Sequence, residues 1–229
     1  MIVEPDISEI AALMGEPSRA AMLVALIGKD ALPATELAHK ARVSPQTASS
    51  HLAKLIAGKL LAVERHGRHR YYRLASDEIG RFIETLASLS PPPRASSLIE
   101  VNEEAKAIRY ARTCYDHLAG KVAVELARAM ESSGWLAREG RDFEVTAVGE
   151  RRLGDLGINV EELRRCRRAF SPQCLDWSER QHHIAGALGA ALLDRMLTLK
   201  WVARTRGTRC VRVTLEGKKA LSRILNLRV

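Results

Sequence analysis

Short polar side chains between residues 44 and 54 are of the kind that hydrogen-bond to the edges of DNA bases. Gln46 can pair with adenine, and Lys54 can donate to a base edge or to a phosphate oxygen. His51 lies nearer the apolar side of the segment, so a phosphate contact or a structural hydrogen bond suits it better than base reading. The candidate DNA-binding residues of this segment are Ser44, Gln46, Thr47, Ser50, His51 and Lys54.

A basic hairpin is predicted after this segment. Gly67 supplies a turn between the runs 60–64 and 70–74, which we expect to pair as antiparallel strands with 65–69 as their tip. Positive charge at such a tip can meet a phosphate backbone or the minor groove. The alternative is an ordinary surface hairpin beside a solvated helix. The arginines that would contact DNA are Arg65, Arg68 and Arg70.

The elements that position these groups can also be predicted. Ser44 before Pro45 is typical of an N-cap followed by a first helical proline, and Gly58 fits a left-handed cap at the helix end. The apolar residues at helical spacing are Ala48, Leu52 and Leu55. A short helix over 34–41 and a tight turn at 42–43 come before, and this order indicates a winged helix-turn-helix.

Residues 10–88 resemble the DNA-binding domain of the ArsR family of bacterial winged-helix regulators. The matching residues are Gly15-Glu16-Pro17-Ser18-Arg19, Thr35-Glu36-Leu37-Ala38, Val43-Ser44, Thr47, Ser49, His51-Leu52, Leu55, Gly58, Arg65-His66-Gly67-Arg68 and Tyr71-Tyr72. The resemblance implies a dimeric repressor that binds a palindromic operator and is released by an inducer.

The metal sites familiar in this family do not carry over to this chain. One subgroup has a cysteine pair directly after the Glu-Leu of the helix before recognition, whereas Glu36-Leu37 is followed here by Ala38-His39-Lys40. Another subgroup has Asp and His ligands on the helix after the wing, and the corresponding segment, about 76–89, has no histidine. The resemblance therefore implies DNA binding, and the missing ligands give no support for arsenic or zinc sensing through these sites.

Side chains that bind soft metal ions occur later in the chain. His117 and His183 occupy equivalent positions of an internal repeat, so they can meet across a pseudo-axis. If the segment that contains Cys114 and His117 is helical, these two residues share one face of the helix. The candidate ligands for zinc, copper(I) or a heavier thiophilic ion are Cys114, His117, Cys174 and His183. Two alternatives stay open: the cysteines form a redox pair, or all four residues are structural.

Two further binding functions are considered for the C-terminal half. A small organic effector would need aromatic walls, for which the candidates are Tyr115, Trp135, Trp177 and Trp201, although these residues equally suit a core. A second DNA contact would use the basic residues of a later hairpin, Arg204, Arg206 and Arg209, whose alternative is a solvated basic face. No phosphate loop, dinucleotide motif or nucleophile elbow is present, so we do not expect an enzyme.

Composition supports a nucleic-acid partner. The chain has 229 residues, 46% of them hydrophobic, and a net charge of +9. The net charge is +1 over residues 1–90 and +8 over 91–229, so the predicted winged helix is not the main source of positive charge. We expect a cytoplasmic protein without a membrane partner, because neither a signal peptide nor a long apolar run is evident.

The chain is predicted to contain two domains. Residues 1–90 form the winged helix-turn-helix, the proline-rich segment 91–97 is a linker, and 98–229 form a sensor or dimerisation domain. Within the latter, 117–153 and 183–221 form an internal repeat. The repeat is carried by the pairs His117/His183, Gly120/Gly186, Met130/Met196, Trp135/Trp201, Arg138/Arg204, Thr146/Thr214, Gly149/Gly217 and Leu153/Leu221.

Each repeat is expected to fold as a helix, a tryptophan-containing strand, a turn, a strand and a helix. The predicted fold class is therefore mainly α with small β hairpins, a winged helix-turn-helix followed by a duplicated helix/hairpin/helix domain. These features favour a homodimeric, sequence-specific regulator of transcription, a repressor released by an effector bound in the C-terminal domain. The alternative is an architectural protein that binds double-stranded DNA through tandem winged helices without sensing an effector.

Overall fold

The structure is a computed structural model that describes residues 6–29, 31–67, 69–90 and 103–229. The chain divides into two compact units, Met1–Glu84 and Thr85–Val229. The predicted linker 91–97 lies outside the described residues, and the predicted domain limits stay predictions. Within the described part, the chain has eleven helices and small antiparallel hairpins, which confirms the predicted fold class.

The N-terminal unit is a winged helix-turn-helix. Its elements are α1 (Ser8–Gly15), α2 (Pro17–Leu26), β1 (Leu32–Pro33), α3 (Ala34–Ala41), α4 (Pro45–Ala57), β2 (Leu61–His66), β3 (His69–Leu74) and α5 (Asp77–Leu89), the last of which contains the boundary between the units. The strands form one antiparallel sheet in the order β1-β3-β2. Arg42 turns the chain between α3 and α4 in the left-handed region, with a φ of 54°.

Helix α4 begins as the sequence predicts but ends differently. Ser44 is its N-cap and accepts a hydrogen bond from the Thr47 amide. Gly58 has a φ of −77°, so the predicted left-handed glycine cap is wrong, and Lys59 takes the left-handed conformation with a φ of 57°. Gly58 also lies close to α1, because a Cβ at this position would lie 2.2 Å from the end of the Leu13 side chain, which would have to move.

The basic hairpin is longer than predicted. Strands β2 and β3 stay paired out to His66 and His69, so the expected tip residues Arg65 and His69 belong to the strands. The core of this unit is formed mainly by the apolar faces of α2, α3 and α4. Its fully buried members include Met22, Leu23, Leu37, Leu52 and Leu55.

The C-terminal unit is built from two copies of one arrangement. Its elements are α6 (Glu103–Tyr110), β4 (Arg112–Cys114), β5 (His117–Ala119), α7 (Lys121–Ser132), β6 (Leu136–Glu139), β7 (Asp142–Val145), α8 (Ala147–Asp155), α9 (Val160–Arg164), β8 (Gln173–Leu175), β9 (His182–Ile184), α10 (Gly186–Thr198), β10 (Val202–Arg204), β11 (Val211–Val213) and α11 (Leu215–Leu225). The series β4 to α8 and β8 to α11 have the same order of hairpin, helix, hairpin and helix. The prediction that each tryptophan lies within a strand is wrong. Trp135 and Trp201 lie just before β6 and β10.

The two copies exchange equivalent backbone hydrogen bonds. The hairpin β10–β11 binds to β4 of the first copy, and the hairpin β6–β7 binds to β8 of the second. The donors Thr113, Val211, Gln173 and Phe143 pair with the carbonyls of Arg209, Ala111, Arg141 and Ser171, in that order, at 2.9 Å each. This reciprocity gives the unit a pseudo-twofold axis, with a shared core that includes Met130, Leu153, Leu188 and Leu193.

Equivalent glycines allow each second hairpin to pack on its following helix. A Cβ at Gly149 would lie 2.0 Å from the Trp135 carbonyl oxygen, and a Cβ at Gly217 would lie 2.0 Å from that of Trp201. The Thr146 and Thr214 hydroxyls cap these two helices by accepting from Gly149 and Gly217. The shared Thr-x-x-Gly pattern of the repeat therefore has a steric reason.

Replacing Gly149 by alanine is expected to lower the free energy of unfolding by about 1–3 kcal/mol, because backbone must move to admit the methyl group. Gly154→Ala is the matched control, since it lies in the same helix and a Cβ there meets nothing within 4 Å. The control is expected to gain up to about 1 kcal/mol from helix propensity. Urea unfolding followed by circular dichroism measures both, and equal effects would contradict the steric explanation.

No helix within the described ranges is both long and apolar enough to cross a membrane.

Candidate functional site

The predicted DNA-reading side chains lie on the exposed face of α4. Gln46, Thr47, Ser50 and Lys54 are all exposed, whereas Ala48, Leu52 and Leu55 on the opposite face are buried in the core. Ser44 is exposed at the start of the helix, and its hydroxyl lies 2.9 Å from that of Thr47. The helix is thus anchored on one side and presents short hydrogen-bonding groups on the other.

His51 differs from the other predicted DNA-binding residues of α4. Its side chain is 15% exposed, and its Nδ1 lies 3.6 Å from a carboxylate oxygen of Glu16. Glu16 caps α2 by accepting from the amides of Ser18 and Arg19 at 3.0 and 2.8 Å. The contact is too long for a hydrogen bond, and His51 Nδ1 has no hydrogen-bond partner within the described residues, so His51 lies against the start of α2 without the expected structural hydrogen bond.

The arginines of the first hairpin are exposed and face each other. Arg65 and Arg70 are directly opposite cross-strand partners, as are His66 and His69. Neither arginine forms an ion pair within the part of the chain that the structure describes, and like charges in such positions repel. Arg73, by contrast, donates to Glu64 at 2.6 Å. Arg68, the third predicted arginine, lies outside the described residues.

The second basic hairpin, β10–β11, follows α10, a helix that is more deeply buried than α4. Arg204 and Arg206 are exposed on and beside β10, and Arg209 is half-buried. The helix before this hairpin, α10, buries six of its residues. Its exposed side chains within the helix are Asp194 and Thr198, so it offers a carboxylate where α4 offers short polar groups.

The four predicted metal ligands lie together in the C-terminal unit. One ligand atom from each of Cys114, His117, Cys174 and His183 lies within 4.8 Å of all the others. The two sulfur atoms are 3.9 Å apart, and the two Nε2 atoms are 3.1 Å apart. Cys174 is half-buried and the other three are buried.

The ligands come from hairpins, so the helix that would have placed Cys114 and His117 on one face is not formed. They are cross-strand partners across the two-residue turn between β4 and β5. Cys174 and His183 are cross-strand partners in β8 and β9. Each copy of the repeat therefore contributes one cysteine and one histidine from the same register position.

The hydrogen bonds within the cluster favour a thiolate. The Cys114 thiol has the largest influence on the pKa of Cys174 and lowers it far below the usual range, helped by His117 and His183. Burial works to lower the pKa of His117, but hydrogen bonds with Asp116 and Cys174 outweigh it and raise this pKa.

Two carboxylates support the outer nitrogens of the histidines. Asp116 lies 3.2 Å from His117 Nδ1, and its second oxygen accepts from Arg168 at 2.6 Å. Burial would raise the pKa of Asp116, but His117 and Arg168 lower it to about 2. Asp176 lies 3.6 Å from His183 Nδ1, beyond hydrogen-bond range. The sequence reasoning did not predict that either aspartate would lie beside a histidine of the cluster, although each lies within two residues of a candidate ligand.

Asp176 is also one end of a fully buried ion pair, which the sequence reasoning missed. Arg112 donates to it at 2.9 Å, and both side chains have 0% exposure. The Gly120 amide donates to the same oxygen at 2.6 Å, and Ser178 donates to the other through its amide and hydroxyl. Burial raises the pKa of Asp176, but Arg112, Ser178 and Gly120 lower it to about 2.

The tryptophans do not form the ligand pocket that was considered for an organic effector. Trp135 and Trp201 are buried in the core around a cavity of about 20 Å³, room for about one water molecule. Trp177 stacks on the Arg112 guanidinium, whose central carbon lies 4.3 Å from the ring centre. Packing therefore accounts for these three side chains.

Comparisons with known proteins support the assignment of the N-terminal unit as a helix-turn-helix domain. A family model described as a helix-turn-helix domain matches residues 14–64, which include α2, α3 and α4. The chain is 48% identical over 227 residues to the HTH-type transcriptional regulator YdfF of Bacillus subtilis strain 168. That match covers 99% of this chain and 100% of the relative, so it includes both units.

Solved structures are similar to a part of the chain. Reduced HlyU from Vibrio cholerae N16961 is 26% identical, with 37% of this chain and 87% of that chain covered and a TM-score of 0.34. NolR from Sinorhizobium fredii is 28% identical, with 36% and 81% covered and a TM-score of 0.33. The antimony-specific repressor AntR is 26% identical, with 39% and 83% covered and a TM-score of 0.34.

Proposed function

Because the chain belongs to the family of HTH-type transcriptional regulators, we propose that it binds a specific double-stranded DNA operator through α4 and the hairpin β2–β3. The observation that carries this proposal is the exposed polar face of α4, opposite a buried apolar face. Gln46, Thr47 and Ser50 would meet base edges, while Ser44 and Lys54 would contact the backbone nearby. A cytoplasmic location follows from DNA as the partner.

The basic hairpin would act as a wing. Arg65 and Arg70 repel each other in the free protein, and phosphate oxygens would relieve that repulsion on binding. Arg68 is included in the proposed contact because the sequence places it at the tip of this hairpin. His51 is proposed to hold α4 against Glu16, so that it supports the reading helix and does not read bases.

We propose that the operator is palindromic and is bound by a homodimer. Phe82, Leu86 and Leu89 recur at helical spacing along α5 and are 49%, 39% and 74% exposed. Ile10 on α1 is 36% exposed. These apolar groups would be covered by a second copy of the chain, which would place two copies of α4 about one DNA turn, roughly 34 Å, apart.

The C-terminal unit is proposed to bind an effector that releases a repressor from its operator. An effector would act by favouring one separation of the two reading helices over another. A binding role suits this unit better than a catalytic one, because the residues of its cysteine–histidine cluster are buried or half-buried.

An architectural protein with tandem winged helices is the second candidate. The exposed Arg204 and Arg206 favour it, since they decorate a hairpin in the position of a wing. The largely buried α10, with Asp194 at its surface, argues against base reading beside that hairpin. A sequence-specific regulator is therefore the function that the geometry supports best.

Replacing Gln46, Thr47 and Ser50 together by alanine is expected to abolish selection of one duplex over another. A preferred duplex is first selected from a random pool with the unchanged protein. The variant's preference for it over a scrambled duplex is expected to fall by about 100-fold or more, because three lost base contacts of about 1–3 kcal/mol each amount to at least about 3 kcal/mol. Binding to the scrambled duplex should persist, since the phosphate contacts remain.

The matched control replaces Ser132 and Ser133, two exposed serines at the end of α7, by alanine. It removes similar groups from a surface that is not proposed to meet DNA. Undiminished selection by a properly folded triple variant would rule out base reading by α4.

A further inference from the structure

We propose that Cys114, His117, Cys174 and His183 form a closed, tetrahedral binding site for a thiophilic metal ion, with Zn²⁺ as its best match. The site would join the two copies of the repeat at their pseudo-twofold axis. It goes beyond operator binding and does not depend on it, because all four ligands lie in the C-terminal unit.

The distances between the donor atoms fit a tetrahedron around one ion. With Zn–S and Zn–N bonds of about 2.3 and 2.0–2.1 Å, a regular tetrahedron has edges of about 3.8 Å between sulfurs and about 3.3 Å between nitrogens. The observed separations are 3.9 Å between Cys114 and Cys174 Sγ and 3.1 Å between His117 and His183 Nε2. These two edges match the tetrahedron to within about 0.2 Å, and all four ligand atoms lie within 4.8 Å of one another.

The orientation of the two imidazole rings also suits a bound cation. Asp116 lies within hydrogen-bond distance of His117 Nδ1, at 3.2 Å, and Asp176 lies 3.6 Å from His183 Nδ1, beyond that range. The two Nε2 atoms face each other at 3.1 Å in a buried site, where both are placed to bind one ion. A carboxylate behind a ligating histidine is the usual arrangement in zinc sites, where it fixes the ring and raises its basicity.

The symmetry of the ligands separates this site from a chance cluster of core residues. Two equivalent hairpins each present a Cys–His cross-strand pair, although the sulfurs are separated by 60 residues and the nitrogens by 66. The second hairpin has one additional cross-strand pair, Leu175 with His182, and a longer loop, 176–181, and these together account for the difference in spacing. One ion would thereby tie β4–β5 to β8–β9.

The donor set selects the chemical class of the ion. Two thiolates and two imidazoles suit Zn²⁺, whereas Mg²⁺ and Ca²⁺ require oxygen ligands. Four protein ligands leave no position for water or substrate, which is typical of a structural or sensing site and not of a catalytic one.

The test is titration of the full-length, chelator-stripped and reduced protein with Zn²⁺ alone and, separately, with Co²⁺. We expect about one equivalent to bind per chain, and the Co²⁺ form to show the visible absorption bands of a tetrahedral ion with thiolate ligands. Cys114→Ser combined with Cys174→Ser is expected to bind at least about 100-fold more weakly, since even outer-shell changes cost 10- to 100-fold.

Cys166→Ser and His182→Gln are the matched controls, because they remove a thiol and an imidazole outside the cluster. They should bind as the unchanged protein does. Asp116→Asn leaves all four ligands in place and is expected to weaken binding by about 10- to 100-fold, which keeps the test decisive if the double variant misfolds.

Three results would overturn the proposal: no stoichiometric binding by the reduced protein, full binding by the folded double variant, or a Co²⁺ spectrum of octahedral type. Operator binding is measured separately by gel shift. A protein that binds DNA but no metal would contradict this inference alone, and one that binds metal but no DNA would contradict the proposed function alone.

Discussion

Replacing Arg65 and Arg70 by alanine is expected to weaken binding to every duplex by about tenfold for each lost phosphate contact at roughly 0.1 M salt. Both arginines are exposed, and within the described chain neither has an ion-pair partner that would compete with phosphate. Two lost contacts per protomer correspond to about 100-fold, and in a dimer the loss is larger. Unlike the change on α4, this one should leave the preference between sequences nearly intact.

The slope of binding against salt concentration measures the effect directly. Each lost contact is expected to reduce the slope of log K against log salt by about one. Arg204→Ala with Arg206→Ala is the matched control, because it removes the same charge from the second basic hairpin. We expect that control to change the slope little, since α10 beside this hairpin exposes Asp194. An unchanged slope in the Arg65/Arg70 variant would show that β2–β3 is not a wing.

The sequence predicts the N-terminal unit well because its signals are local. Ser44 and Pro45 define the start of α4, and Gly67 is a turn residue between alternating strands. The end of α4 was predicted less well, because a glycine near a helix end suggests a left-handed cap. Gly58 instead lies close to Leu13, which is far away in the sequence, and has a negative φ.

The cysteine–histidine cluster shows where sequence reasoning stops. A spacing of three residues between Cys114 and His117 fits one helical turn as well as a two-residue hairpin, and only the fold decides between them. The repeat made the two histidines equivalent, but the cysteines fall outside the aligned segments. Their equivalence appears only when both hairpins are seen in the same register.

The buried ion pair between Arg112 and Asp176 could not be predicted for a related reason. They are separated by 64 residues, and in the sequence each looks like an ordinary surface residue. The fold instead buries both completely, where the cation–π contact with Trp177 and the hydrogen bond from the Gly120 amide complete their surroundings. Long-range pairing of charges leaves no local pattern that a single sequence can reveal.

Asp176→Asn is expected to destabilise the C-terminal unit by about 3–5 kcal/mol, because it leaves the Arg112 charge buried without its counterion. The amide would also place an NH₂ group or a weaker acceptor against the donors from Gly120 and Ser178. All three tryptophans of the chain, Trp135, Trp177 and Trp201, lie in this unit. Urea unfolding followed by tryptophan fluorescence therefore reports on this unit alone.

Two further variants distinguish the cost of an unpaired buried charge from the cost of losing an ordinary ion pair. Glu131→Gln breaks the partly exposed pair with Arg138, whose atoms lie 2.6 Å apart, and should cost less than about 1 kcal/mol. Arg112→Met added to Asp176→Asn should recover part of the stability, because the uncompensated charge is gone. If the two changes simply add, the pair contributes nothing beyond its separate hydrogen bonds. Recovery in the double variant would mean that the Arg112–Asp176 charges stabilise the hairpin β8–β9, and with it the position of His183, only as a pair.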